Sequence, residues 1–179
     1  DIISNILEYT VDAFRVESLY KRYTLPEAGI TLTYPQDWFI PWNLTTTEGA
    51  GYWTSTPIGQ NAFFRVYYDA TLETCNADDA VRNFFGNYPE HQLTELIAET
   101  EFDGAPAVIF STAYERDDNV FKALALATCN ERLNTAVVLA LEVADDFENP
   151  GELFGILLES SFTNNAAAIN DFRSIIDFN

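Results

Sequence analysis

The stretch Gly29-Ile30-Thr31-Leu32-Thr33-Tyr34-Pro35-Gln36-Asp37-Trp38 decides how this chain is read. Ile30, Leu32 and Tyr34 alternate with Thr31 and Thr33, the period-two pattern of a strand with one face turned to a core. Pro35 has no N–H for a sheet ladder and closes the strand. Ahead of it, Pro26-Glu27-Ala28-Gly29 is a turn built from proline-set and glycine-permitted dihedrals, and residues 19–25 read as the partner strand. Gly29, Tyr34, Pro35 and Trp38 are therefore expected to be structural residues.

Working outward, 179 residues suffice for one domain with its own core, and the apolar share of 47% excludes a disordered chain. Charge is lopsided, with 28 acidic against 9 basic side chains and a formal net charge of -19. A field of that sign repels nucleic acid and anionic lipid, and it favours basic partners, divalent cations or plain colloidal solubility. No apolar run approaches the ~18 residues of a membrane-spanning helix. The sequence contains no methionine, so we expect a processed chain, with signal-peptide removal the economical route. Cys75 and Cys129 are too isolated for a CxxC motif. Two readings stay open for them: a disulfide in an oxidising compartment, worth roughly 3–4 kcal/mol by loop closure, or two buried thiols.

Residues 1–14 carry an apolar stripe at helical spacing (Ile3, Ile6, Leu7, Val11, Phe14). After the hairpin, Trp38 to Trp42 is apolar, residues 43–51 read as a polar loop, and residues 52–55 and 62–69 as strands. Asn76 is the expected N-cap of a helix with Asp78 and Asp79 in its first turn. Residues 94–102, 107–115, 120–129 and 135–143 form an antiparallel meander. Its Asp103-Gly104 turn is a strong hairpin signal, and the strand at 120–129 is apolar enough to be central. Asn149-Pro150-x-Glu152 predicts a second capped helix, and residues 166–177 a last one. Mixed strands and helices without strict βαβ alternation indicate an α+β fold. Three segments are expected: a helical extension at 1–17, a domain at 18–163 and a helical tail at 164–179.

Leu25-Pro26-Glu27-Ala28-Gly29 running into Ile30 and on to Tyr34-Pro35-Gln36-Asp37-Trp38 resembles the opening hairpin of PsbP-like domains, named for an extrinsic protein of the photosystem II oxygen-evolving complex. The element order behind it, ending at Glu159-Ser160-Ser161-Phe162, is similar too. The resemblance implies an α/β/α sandwich around a central antiparallel sheet. It also implies a binding or assembly module without established catalytic residues. Its members include thylakoid-lumen photosystem subunits, exported bacterial proteins and lipoproteins, and a eukaryotic factor that binds a small GTPase. One departure stands out: the photosystem member is lysine-rich, whereas this chain has only Lys21 and Lys122.

Candidate chemistry is sparse. His91, the sole histidine, lies in Pro89-Glu90-His91-Gln92, which reads as a solvated loop. No Gly-x-Ser-x-Gly elbow and no glycine-rich phosphate loop occurs. One histidine and two cysteines fall short of a zinc set. Asp145, Asp146 and Glu148 are the least implausible calcium ligands, although their spacing is not that of an EF-hand. Trp42, Tyr52 and Trp53 are interface candidates, because aromatic anchors concentrate at binding hot spots. No catalytic residue and no cofactor is expected. The leading expectation is a non-enzymatic, extracytoplasmic binding or scaffolding domain. It would be secreted, periplasmic, in a thylakoid lumen or tethered at an outer membrane face, and would serve as accessory subunit of a membrane-associated, in the family's best-known case photosynthetic, complex. Two other classes stay open: an exported protein binding calcium or a small ligand, and a small hydrolase.

Overall fold

Alternation along the strands sorts the core into two sides of one sheet. A computed structural model describes residues 19–45, 49–59 and 61–163. The strands are β1 (Tyr20–Leu25), β2 (Ile30–Pro35), β3 (Phe39–Thr45), β4 (Ala50–Thr56), β5 (Ala62–Asp69), β6 (Gln92–Phe102), β7 (Ala105–Arg116), β8 (Asn119–Asn130), β9 (Thr135–Ala144) and β10 (Phe162–Thr163). Two helices, α1 (Ala77–Asn87) and α2 (Pro150–Ser160), complete the set. Seven strands form an antiparallel sheet in the order β3-β4-β5-β9-β8-β7-β6, and β1-β2-β10 form a small second sheet. The fold is α+β.

On β9, Ala136, Val138 and Ala140 face α1, while Val137, Leu139 and Leu141 face α2 and the small sheet. The α1 side is floored by small residues, Ala125 and Ala127 of β8 among them, so the helix can lie close. The other side is aliphatic: Ile109, Leu124 and Leu126 meet Ile30 and Leu32 of β2 and Phe154, Leu157 and Leu158 of α2. Each of those α2 side chains is at most 1% exposed. Helices thus cover opposite faces of the sheet, and the small sheet shares the α2 layer.

The opening hairpin forms as read, with Leu25 paired to Ile30 and Tyr20 to Pro35. Gly29 has φ +64°, a conformation that L side chains rarely adopt, and a Cβ there would collide with the Asn130 amide. Asn130 donates to the Ala28 carbonyl at 3.2 Å, which ties the hairpin turn to the end of β8. Tyr34 and Trp38 are buried, Tyr34 edge-on to Trp53 with ring centroids 5.4 Å apart. Ser161 holds β2 from the far end of the chain: its Oγ accepts from the Thr33 N–H at 3.1 Å and donates to the Leu157 carbonyl at 2.6 Å.

Three expectations need correction. Most of residues 43–51 is strand, not loop: β3 runs to Thr45 and β4 begins at Ala50. Polar Asn43 and Thr45 are tolerated there because β3 is one of the sheet's two edge strands, where solvent takes the outward groups. Asn149 does precede α2, but at φ +52° and without a side-chain cap bond. Pro150 instead presets the first turn, and Leu153 N–H reaches the Asn149 carbonyl at 3.3 Å. The strand at 120–129 is interior, yet the middle place belongs to β9. The extensions read at 1–17 and 164–179 lie outside the described residues.

Candidate functional site

The α1 side carries the chemistry. Asn76 caps the helix as its sequence indicates, its Oδ1 accepting from the Asp79 N–H at 2.9 Å. One residue earlier, Cys75 is disulfide-bonded to Cys129 at the end of β8, with Cα atoms 5.7 Å apart. So fixed, α1 crosses β7, β8 and β9 and meets β5 beside it through side chains, Phe84 and Tyr88 on Tyr67 and Asn83 and Asn87 on Asp69. The result is a cleft of about 450 Å³ between the helix and the sheet.

Its walls are aromatic. Tyr67 sits at the centre, with the Tyr88 ring at 4.4 Å, Phe84 at 5.0 Å and Tyr52 at 6.2 Å. Two residues along the same strand face, buried Asp69 borders the cleft. Its Oδ1 accepts from the Thr71 N–H at 2.8 Å and the Thr71 hydroxyl at 2.6 Å. Its Oδ2 accepts from the amides of Asn83 at 3.1 Å and Asn87 at 3.2 Å. Burial works to raise the Asp69 pKa, but these bonds outweigh it and hold the carboxyl below the usual range.

Deeper on the same face, fully buried Glu142 of β9 meets Arg65 at 2.8 Å and accepts from the hydroxyls of Tyr67 and Tyr114 at 2.6 Å each. Burial, with the Glu142 charge, pushes both phenols far above their ordinary range. His91 packs against Tyr114, Phe84, Tyr67 and Tyr88, with the Tyr114 ring centroid 4.4 Å away. Burial lowers its pKa, assisted by Arg65 and opposed by Glu142 and Glu90. This corrects the solvated-loop reading. His91 is 5% exposed because residues from α1, β5 and β7 close over a loop position. The arrangement is a buried polar core with its imidazole held among rings, in which His91 Nδ1 and Arg65 Nε have no hydrogen-bond partner.

Two further surfaces stand out. A groove of about 810 Å³ lies on the α2 side over Leu124, Leu141 and Val143, walled by Phe147 and Pro150. On the α1 side of β6, the edge strand opposite β3, Leu93 and Leu96 are 47% and 62% exposed. Leu96 stands opposite Phe110, which Phe85 of α1 contacts at 5.6 Å. Glu90, Glu95, Glu99 and Glu101 are exposed on or next to β6; Glu99 and Glu101, opposite Val108 and Pro106, share the face of Leu96, and Glu95, opposite Ser111, lies on the other.

The sequence-derived candidates scatter. Trp53 is fully buried beneath Tyr23, Tyr34 and Phe64, so it is core and no interface residue. Trp42 is half-buried against Phe63, outside the cleft. Of the three interface candidates, Tyr52 alone lines it. Asp145 pairs with Lys122 at 2.8 Å, and among the described residues no group of three or more His, Cys, Asp or Glu side chains is placed to hold a metal ion. Asp69, Asn83, Asn87 and Glu142 went unread. A signal existed for three of them: Glu142 is a lone carboxylate in an apolar strand, and Asn83 and Asn87 share a helix face at i, i+4.

No family model and no curated sequence relative matches the chain. Solved structures are similar to it. One from Bacteroides thetaiotaomicron VPI-5482 has a TM-score of 0.51 at 14% identity, covering 84% of this chain and 49% of its own. This chain therefore spans about half the length of that structure. At this identity the likeness is one of fold alone. The Saccharomyces cerevisiae Ran-binding protein Mog1p has a TM-score of 0.48 at 11% identity, over 78% of this chain and 84% of its own. LpqN of Mycobacterium tuberculosis, involved in cell envelope biogenesis, has 0.47 at 11% identity, over 80% and 89%.

Proposed function

We propose that this chain is a non-enzymatic, extracytoplasmic binding domain that docks a basic protein partner on the α1 side of β6, as accessory subunit of a membrane-associated complex. The observation that carries the reading is the strip of exposed Leu93 and Leu96 on an edge strand, with exposed Glu99 and Glu101 farther along the same face. An apolar centre with a charged rim is the anatomy of a docking surface, and the net charge of -19 selects a basic counterpart. Register shifts at Leu93/Glu95 and Leu96/Ala98 spoil strand addition along this edge, which favours docking on the face. Both cysteines are tied up and His91 is packed among rings, so these groups serve structure rather than nucleophilic chemistry. A disulfide belongs to an oxidising compartment, which supports the extracytoplasmic placement.

Cross-linking the full chain in its native membrane fraction, with and without Leu93→Ser/Leu96→Ser, tests this. The double variant should melt like the parent yet lose the cross-linked partner, and salt should weaken the parent complex. A chain that stays monomeric and partner-free at physiological salt overturns the reading. Trapping of two free thiols in the native protein would overturn the compartment.

A further inference from the structure

We propose that the cleft between α1 and β4–β5 binds an organic cation of the quaternary-ammonium class, against the ring faces of Tyr52, Tyr67, Tyr88 and Phe84 and beside the carboxylate of Asp69. Three observations converge on this chemistry, and none of them depends on the β6 strip.

The first is shape. A cleft of about 450 Å³ falls within the usual range of small-ligand sites. Tyr52 and Tyr88 are only half-buried, so the opening is reached from solvent. The second is the wall. Three rings lie within 6.2 Å of Tyr67, tilted or edge-on to it, and a ring face turned to the cleft attracts a cation through its quadrupole.

The third observation selects the kind of cation. Asp69 is buried, yet all four hydrogen bonds it accepts come from neutral donors. They favour its ionised form and cancel none of its charge. No ion pair reaches Asp69 among the described residues. The nearby Arg65 does not supply the missing charge, because it is committed to Glu142 at 2.8 Å. A carboxylate has about four lone-pair sites, and here all are taken. An ammonium or guanidinium group needs a vacant acceptor, and a hard metal ion needs bare oxygen ligands. A cation that donates no hydrogen bond needs neither. The Tyr88 phenol reports the same field: burial first, then the charges of Tyr52, Glu90 and Asp69, push its pKa up to about 12.

Calorimetric titration of the full, oxidised chain with choline and with dimethylbutanol, its neutral carbon isostere, decides the matter. Choline should bind at one site, and the isostere should bind at least about tenfold more weakly, since only the charge differs. Tyr88→Leu should weaken choline about tenfold, whereas Tyr88→Phe, which keeps a ring face, should retain it. Tyr52→Leu, at a half-exposed position outside the hydrogen-bond network, repeats the test with little risk to folding. Equal affinity for choline and its isostere would make the cleft merely apolar. Displacement of choline by calcium or potassium would make it a hard-cation site. Either result overturns the proposal, as does absence of choline binding or insensitivity to both leucine variants.

Discussion

α1 and α2 have the same length, eleven residues each, and lie on opposite faces of one sheet, yet they are fixed by different means. α2 is held by hydrophobic burial. Phe154, Leu157 and Leu158 fill the space between it and β2, β8 and β9, and the groove on this face opens only beside its first turn, at Pro150, Gly151 and Glu152. α1 buries little beyond Ala77, Ala80 and Phe84. It is held by a disulfide at its entry, a side-chain cap, and two asparagines reaching Asp69 across the cleft. Burial fixes a helix by filling the space beneath it. Covalent and polar ties fix it while leaving the space beside it open. The cleft exists because α1 is secured without being packed on all sides.

Removing the covalent tie should have the largest effect. Cys75→Ala/Cys129→Ala is expected to lose about 4 kcal/mol in urea denaturation, from the loop of 54 residues that the bond closes. Amide exchange should then quicken in α1 first. If α2 loses protection in step, the two helices are one cooperative unit and the contrast fails. Leu157→Ala, on the packed side, should cost about 3 kcal/mol through the cavity it leaves. It should not alter choline affinity, and an altered affinity would show the two faces to be coupled.

Next in size is a pH effect confined to the α1 side. Burial depresses the His91 pKa in the folded chain, so the unfolded chain binds the extra proton as pH falls below about 6.5. Stability should therefore decline as pH drops through that value, and the melting temperature of His91→Phe should flatten over the same window. A decline that persists in His91→Phe would assign it to other groups. Asp69 acts lower: its depressed pKa contributes stability above the ordinary carboxylate range, lost as pH falls through it. The smallest change, away from both helices, is in the β7–β8 turn, where Asp117 and Asp118 hold φ +52° and +62°. Asp118→Gly should add about 0.5 kcal/mol by relieving a left-handed residue, with choline affinity unchanged.

What the sequence discloses and what it hides divide along this same contrast. The strand at residues 62–69 is found with those limits, and the Asn76 cap forms as its spacing indicates, because both depend on neighbours in the chain. Residues 135–143 were legible as an apolar strand, which is β9. The α1 side was not. Its burial of His91 needs Phe84, Tyr67 and Tyr114 from three separate elements. The cleft needs Asp69 beside Asn83 and Asn87, a meeting set by where the helix crosses the sheet. Trp53 misled for the converse reason: a tryptophan beside a polar segment resembles a surface anchor until Tyr23 and Tyr34 of the small sheet close over it.

The disulfide has a kinetic consequence as well. The middle of the sheet depends on β5 finding β9, a pairing of Asp69 with Ala136 across a long intervening chain. Cys75 lies six residues after the end of β5 and Cys129 six residues before the start of β9. An oxidised chain therefore begins its search with those two strands already tethered near their register. Loop closure, the slow element of such non-local topologies, is largely done in advance. The oxidised protein should refold faster than the reduced one, and the bond that secures α1 also guides the sheet to its central pairing.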